Sequence, residues 1–208
     1  MSFGILIYPG VEELDFQGPW EMVGMWHKYN QGPKPRLVAR SLDPVTCAHG
    51  MRVLPDTDFA GAGAGTLTQL LVPGGFAAFD EMKQPDITGF VRRQFDAGAD
   101  TMSVCSGTFI LHAAGVLEGR RASTNWKVVA MLRDAGVEVV EERYTHDGPL
   151  WTSAGVSAGI DMLLAYIAHA RGEDVASAVQ LQAEYFPDAR VYGRARDTQA
   201  VSAYIRRA

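Results

Sequence analysis

The stretch 101–109, TMSVCSGTF, reads as a short apolar strand that ends at Cys105 and passes through two small residues, Ser106 and Gly107, straight into a helix. A strand that turns directly into a helix is half of a parallel βαβ unit, and the same alternation recurs along the chain. FGILIY (3–8) is a strand, followed by a helix over 15–30, DFQGPWEMVGMWHKYN. PRLVARS (35–41) is a strand, and VTCA and MRVLP flank a turn at His49-Gly50 as a hairpin. TQLLVPGG (68–75) is a buried strand closed by a glycine pair, and ITGFVRRQFDAG (87–98) is an amphipathic helix. Beyond Cys105 the pattern predicts a helix over FILHAAGVL, another near 125–135, strands near 137–140 and 150–153, and helices near 158–170 and 174–185. The last stretch, 190–208, is expected to be a loop and a terminal helix.

Helices of this length between strands require right-handed crossovers, so the expected architecture is an α/β fold. It is a helix-sheet-helix sandwich around a mainly parallel central sheet. One domain covering 1–208 is expected, because this length suits one core and no linker or repeat interrupts it. The AGAGAG segment (60–65) is a surface loop, since no strand precedes it as a phosphate loop requires.

Composition narrows the function classes. The net charge of -5 comes from scattered acids, so no basic face for nucleic acid is indicated. No apolar run approaches the roughly 20 residues of a membrane-spanning helix. The N-terminus lacks the basic and apolar regions of a secretory signal, and a cytoplasmic location is expected. Two cysteines, Cys47 and Cys105, are too few for a zinc site and are expected to be free thiols.

Cysteine is usually an inert core residue. Position argues otherwise for Cys105, because functional groups of open parallel sheets gather at the carboxyl ends of strands. Small neighbours suit a tight elbow, and the amides of the following helix favour a thiolate. In VPGGF (72–76) a glycine N–H can approach a reacting atom, and the amides of Gly75 and Ser106 together make a two-donor anion site. None of His27, His49, His112, His146 and His169 is a strong base candidate, and Cys47 is expected to be a small hydrophobe near the hairpin. Asp15 follows the first strand at the same sheet edge; it is either a helix cap or the partner of Cys105. In the second case two close anions share one proton. Glu12 and Glu13 are expected to be solvated.

The cysteine elbow in SVCSGTFILHAAGVLEGRRAST, the VPGGF turn, the acid in LDFQGP and TSAGVSAGID together resemble the DJ-1/PfpI superfamily, and within it the isocyanide (isonitrile) hydratase branch. The resemblance implies a homodimer of flavodoxin-like subunits with Cys105 as nucleophile, Asp15 as its partner and hydroxyl-bearing Ser106 beside it. Relatives of the protease type carry histidine after the cysteine, and others carry one where STNW has Asn125; both readings are disfavoured here. Similar domains form the sensing halves of AraC-type regulators, which need a helix-turn-helix, and with no such domain expected within these 208 residues a DNA-binding role is not expected.

The leading expectation is cysteine-dependent hydration of an isocyanide to the N-substituted formamide through a thioimidate, with no metal or organic cofactor. The substrate is small, neutral and apolar, in a pocket lined by Phe76, Trp126, Val156 and Trp20. Two alternatives stand beside it. One is a non-catalytic redox or metabolite-sensing protein using Cys105, and the other a glyoxalase-type enzyme acting on 2-oxoaldehydes.

Overall fold

The computed structural model describes residues 2–187 together with residues 202, 204 and 205. The first half of the chain runs β1 (Ser2–Leu6), α1 (Glu13–Asn30), β2 (Lys34–Ala39), β3 (Val45–Thr46), β4 (Arg52–Val53), β5 (Thr57–Asp58), β6 (Gln69–Val72), α2 (Ala78–Glu81) and α3 (Pro85–Asp96). The second half runs β7 (Asp100–Val104), α4 (Gly107–Ala113), β8 (Arg121–Ala122), α5 (Val129–Asp134), β9 (Glu138–Val139), β10 (Tyr144–Asp147), β11 (Leu150–Ser153), α6 (Ala158–Arg171) and α7 (Glu173–Gln182). The terminal helix expected within 190–208 lies outside the described residues, apart from Ser202, Tyr204 and Ile205.

Seven strands form one sheet in the order β10-β11-β7-β6-β1-β2-β5. Every pairing is parallel except β10 with β11. The expected α/β sandwich is therefore the observed architecture. The chain leaves β1 for β2 on one side and later fills β6 and β7 on the other, so the strand order reverses between β1 and β6. Crevices at such switch points, beyond the carboxyl ends of the strands, are where parallel sheets hold ligands. Those ends carry the loop before α1, the Pro73-Gly74-Gly75 turn and Cys105.

Both faces are covered. Helices α1, α6 and α7 pack together on one face, and α3 and α4 on the other. This is why β1, β6 and β7 are buried along nearly their whole length on both faces, the polar Thr101 and Ser103 of β7 included. Close approach of α1 to α6 depends on small residues, because a Cβ on Gly159 would stand 2.9 Å from Pro19 Cγ.

Four short elements differ from the expectation. β5, β8 and α2 are two to four residues long and too brief to leave a periodic signal. The fourth is edge strand β10, which holds the His146 of THDG, expected just before a turn, opposite Trp151, with the hairpin turn following it. Its polar composition reflects its place at the sheet edge, where one side meets solvent. The expected helix near 125–135 begins as a 3-10 turn, Trp126–Val128, before α5.

Candidate active site

Cys105 occupies the elbow between β7 and α4 with a φ of 59°, a left-handed conformation that non-glycine residues avoid. The surrounding backbone holds it there. Its N–H donates to the carbonyls of Ala154 (3.0 Å) and Ser153 (3.2 Å), and its own carbonyl accepts from Thr124 Oγ1 (2.7 Å) and Thr108 Oγ1 (3.2 Å). Gly107 is obligatory behind it, because a Cβ there would lie 2.1 Å from the Val72 carbonyl oxygen.

The Pro73-Gly74-Gly75 turn at the end of β6 nests against this elbow. A Cβ on Gly74 would stand 2.6 Å from both the amide nitrogen and Oγ of Ser106. Tyr8, two residues beyond β1, donates its buried hydroxyl to the carbonyls of Pro73 (2.7 Å) and Gly74 (3.0 Å) and fixes the turn from below. Gly75 has a φ of 113°. Its N–H donates to Ser106 Oγ at 3.0 Å, and the Ser106 hydroxyl donates back to its carbonyl at 2.8 Å. Of the two expected backbone donors, the Ser106 amide therefore faces the sulfur, whereas the Gly75 amide is already occupied.

Asp15 is fully buried in the first turn of α1. The N-cap position belongs to Glu12, and Asp15 makes no cap bond. Instead its Oδ2 accepts the Gly74 N–H at 2.8 Å, across 59 residues of chain. Its Oδ1 is buried with no hydrogen-bond partner among the described residues. Burial pushes the Asp15 carboxyl up to about 7, helped by the charge of Glu12 and opposed by the Gly74 N–H, the Cys105 thiol and the Val156 N–H.

Burial also pushes the Cys105 thiol up to about 11, and the Asp15 charge adds to this. The Ser106 amide and hydroxyl and the Asn125 side chain pull it down by less. This corrects the expectation of a resting thiolate. Helix α4 is only seven residues long, and desolvation of a sulfur that is 8% exposed outweighs its amides. At neutral pH the pair is a thiol beside a carboxyl that is close to half-ionised.

A cavity of about 180 Å³ opens over the sulfur. Phe76 and Val156 line it, together with Glu12, Phe79, Asn125 and Lys127. Phe76 is 89% exposed, an apolar side chain at the mouth. Val156 has a φ of 51°, which for a β-branched residue is a strained conformation placed at the site. Trp20 and Trp126 do not line the cavity; Trp20 packs against the core, and Trp126 carries Lys127 Nζ 5.6 Å from its ring centre. No histidine lines it among the described residues.

Glu13 is buried rather than solvated, because its carboxylate accepts the His49 N–H and pairs with the ring Nδ1, both at 2.7 Å. Glu12 faces the cavity instead of open solvent. Glu12, Glu13 and His49 bring three possible metal ligands within 4.8 Å of one another, but Glu13 and His49 already satisfy each other.

A buried acid and a cysteine elbow at one switch point match a known family. The model of the DJ-1/PfpI family matches residues 1–169. The chain belongs to that family. An isonitrile hydratase of Pseudomonas putida is 35% identical over 187 residues, covering 90% of this chain and 79% of that protein. The crystal structure of a THiJ/PfpI family protein from Pseudomonas syringae superimposes with a TM-score of 0.87 at 33% identity, covering 95% of this chain and 80% of that one. The HTH-type transcriptional regulator CdhR of Pseudomonas aeruginosa is 28% identical over 95% of this chain, which spans 57% of that regulator's length.

Sequence reasoning missed several supports of this DJ-1/PfpI site. Tyr8 was hidden as the end of an apolar strand, although a tyrosine before Pro9-Gly10 is a polar atom delivered to a strand end. Thr124 and Thr108, which hold the Cys105 carbonyl, carry no motif of their own. Asn125 stands against Gly155, where a Cβ would lie 2.3 Å from its Nδ2, and this contact aims the amide towards the sulfur.

Proposed function

We propose that this protein hydrates a small isocyanide to the N-substituted formamide, with Cys105 as nucleophile and Asp15 as the proton carrier. The observation that carries the reading is the fully buried Asp15 carboxyl acting on the Cys105 thiol in a cavity that no histidine lines. A histidine-dependent acyl transfer has no base there, whereas an isocyanide needs only one proton moved from sulfur to carbon.

In the first step ionised Asp15 takes the thiol proton and the sulfur attacks the terminal isocyanide carbon. Protonated Asp15 then delivers that proton to the same carbon, which gives a thioimidate, Cys–S–CH=N–R. In the second step Asp15 takes a proton from water as the water oxygen adds to the carbon, and passes that proton to the nitrogen, giving Cys–S–CH(OH)–NH–R. The adduct collapses to the formamide HC(=O)–NH–R as the C–S bond breaks, and Asp15 carries the hydroxyl proton to the departing sulfur, which restores the thiol and the carboxylate. The sum is one isocyanide and one water to one formamide, with no metal or organic cofactor required. The Ser106 amide steadies the sulfur, and Ser106 Oγ keeps the turn at Gly75 in place.

The small cavity suits a compact neutral substrate, and the relative of this name from P. putida supports the chemistry. The redox-sensing alternative is less favoured, because a buried thiol held above its ordinary range presents little thiolate to an oxidant. The reading carries with it a cytoplasmic homodimer. Purified protein should convert cyclohexyl isocyanide to the formamide and leave methylglyoxal unchanged. Lactate in place of formamide would move the protein to the 2-oxoaldehyde class, and neither product would favour sensing.

A further inference from the structure

The reaction proposed above gives no role to Asn125, although this side chain lines the cavity over Cys105. Its orientation is fixed at one end of the amide. Oδ1 accepts the Lys127 N–H at 3.0 Å, which caps the 3-10 turn, so Nδ2 at the other end turns away from that turn. Nδ2 lies against Gly155, where a Cβ would stand 2.3 Å from it, and is close enough to the Cys105 sulfur to favour its thiolate.

The other donors around the sulfur are committed. The Ser106 hydroxyl donates to the Gly75 carbonyl and the Gly75 N–H to Ser106 Oγ, while the Gly74 N–H donates to Asp15. The Ser106 amide faces the sulfur itself. Lys127 also lines the cavity, but it is exposed and holds its Nζ over the Trp126 ring. Among the described residues that line the cavity, Asn125 is thus the side chain that brings a neutral donor, held in place, to the atom where a covalent adduct would form.

We infer that Asn125 is a catalytic residue whose Nδ2–H binds the substrate nitrogen once Cys105 has attached to the neighbouring carbon, an inference that rests on the hydratase reading. The nitrogen of a free isocyanide has its electrons in its bonds and offers no acceptor. In the thioimidate Cys–S–CH=N–R it carries a lone pair two bonds from the sulfur, within reach of a donor placed beside that sulfur. As water adds to the carbon, the π pair of C=N moves onto nitrogen. The Asn125 N–H steadies that charge until Asp15 delivers the proton that gives Cys–S–CH(OH)–NH–R. A fixed donor aimed where charge develops speeds the step that creates the charge. Asn125 therefore serves hydrolysis of the adduct and not its formation.

The test mixes cyclohexyl isocyanide with wild type, Asn125→Ser and Asn125→Ala and follows each protein by rapid-quench intact-mass spectrometry, with formamide measured in parallel. Serine keeps an acceptor for the Lys127 N–H but is too short to reach the nitrogen, whereas alanine loses both contacts. In both variants the adduct, heavier than the protein by one isocyanide, should form at close to the wild-type rate and then persist. Formamide release should slow by about 10² to 10³, the usual loss for one donor to a developing charge. Wild-type release by Asn125→Ser, with or without a defect in Asn125→Ala, would reduce Asn125 to a cap and overturn the inference. Equal slowing of attachment and release would overturn it as well. Wild type that forms neither adduct nor formamide would overturn the hydratase reading itself, and this inference with it.

Discussion

Ser106 and Gly75 are joined by two hydrogen bonds in opposite senses, the Gly75 N–H donating to Ser106 Oγ and the Ser106 hydroxyl donating to the Gly75 carbonyl. The side chain after the nucleophile thus replaces water at both backbone groups of the turn facing the sulfur. Ser106→Ala leaves the buried Gly75 N–H without a partner, at about 1–3 kcal/mol where no water enters, while the Gly75 carbonyl keeps the Ala78 N–H at 3.1 Å. The variant should melt several degrees below wild type and form product more slowly while keeping its thiol. Unchanged melting would mean that the turn holds itself.

Cys105→Ala should form no formamide yet melt close to wild type, since a small side chain suits the elbow and the Thr124 and Ala154 bonds involve only the backbone of residue 105. Cys47 is buried beside the hairpin, and burial pushes its thiol up to about 11, so Cys47→Ala should keep near-normal turnover. Product formation by the Cys105 variant, read by chromatography, would remove the covalent mechanism.

The fold was legible because the apolar runs at 3–8, 68–72 and 101–104 are each followed by a helical pattern, and few architectures accept that alternation. Cys105 was legible at the end of a strand of that fold, and Asp15 as an acid between the first strand and its helix, at the same edge of the sheet. What the alternation could not reveal is the electrostatic balance between them. A helix start predicts a lowered thiol pKa, but the depth of the sulfur and the full burial of Asp15 depend on packing by α1, the Pro73 turn and Val156 together. The same limit hid Trp20 and Trp126, since an aromatic near a site in sequence points wherever its backbone aims it. The pairing of Glu13, at the start of α1, with His49 of the hairpin turn joins residues 36 apart in sequence, which no local pattern records.

Asp15→Asn separates proton transfer from packing. The amide oxygen can still accept the Gly74 N–H, but no proton can be carried, so turnover should fall by about 10² to 10⁴, the usual range for general acid-base catalysis. Stability should change in the other direction. The Asp15 pKa is raised in the folded state, so wild type is favoured below the ordinary carboxyl range, and that favour is lost as pH rises to about 7. The loss runs at up to about 1.4 kcal/mol per pH unit. Asp15→Asn does not titrate, so it should gain stability over wild type between pH 4 and pH 8, a gain visible as a rising difference in melting temperature. A difference that is flat with pH would show that Asp15 is not held protonated by burial.

The pH dependence of turnover follows from the same pair. The reactive form has one proton shared between Asp15 and Cys105, so kcat/KM should rise as Asp15 ionises, with its lower limb near 7. It should stay high until the thiol itself ionises, near 11. Glu12, which lines the cavity, raises the Asp15 pKa by its charge. Glu12→Gln removes that repulsion, so Asp15 ionises more easily and the lower limb should move to more acidic pH, leaving the plateau rate little changed. A limb that stays put in Glu12→Gln, or moves to higher pH, would assign the lower limb to a group other than Asp15.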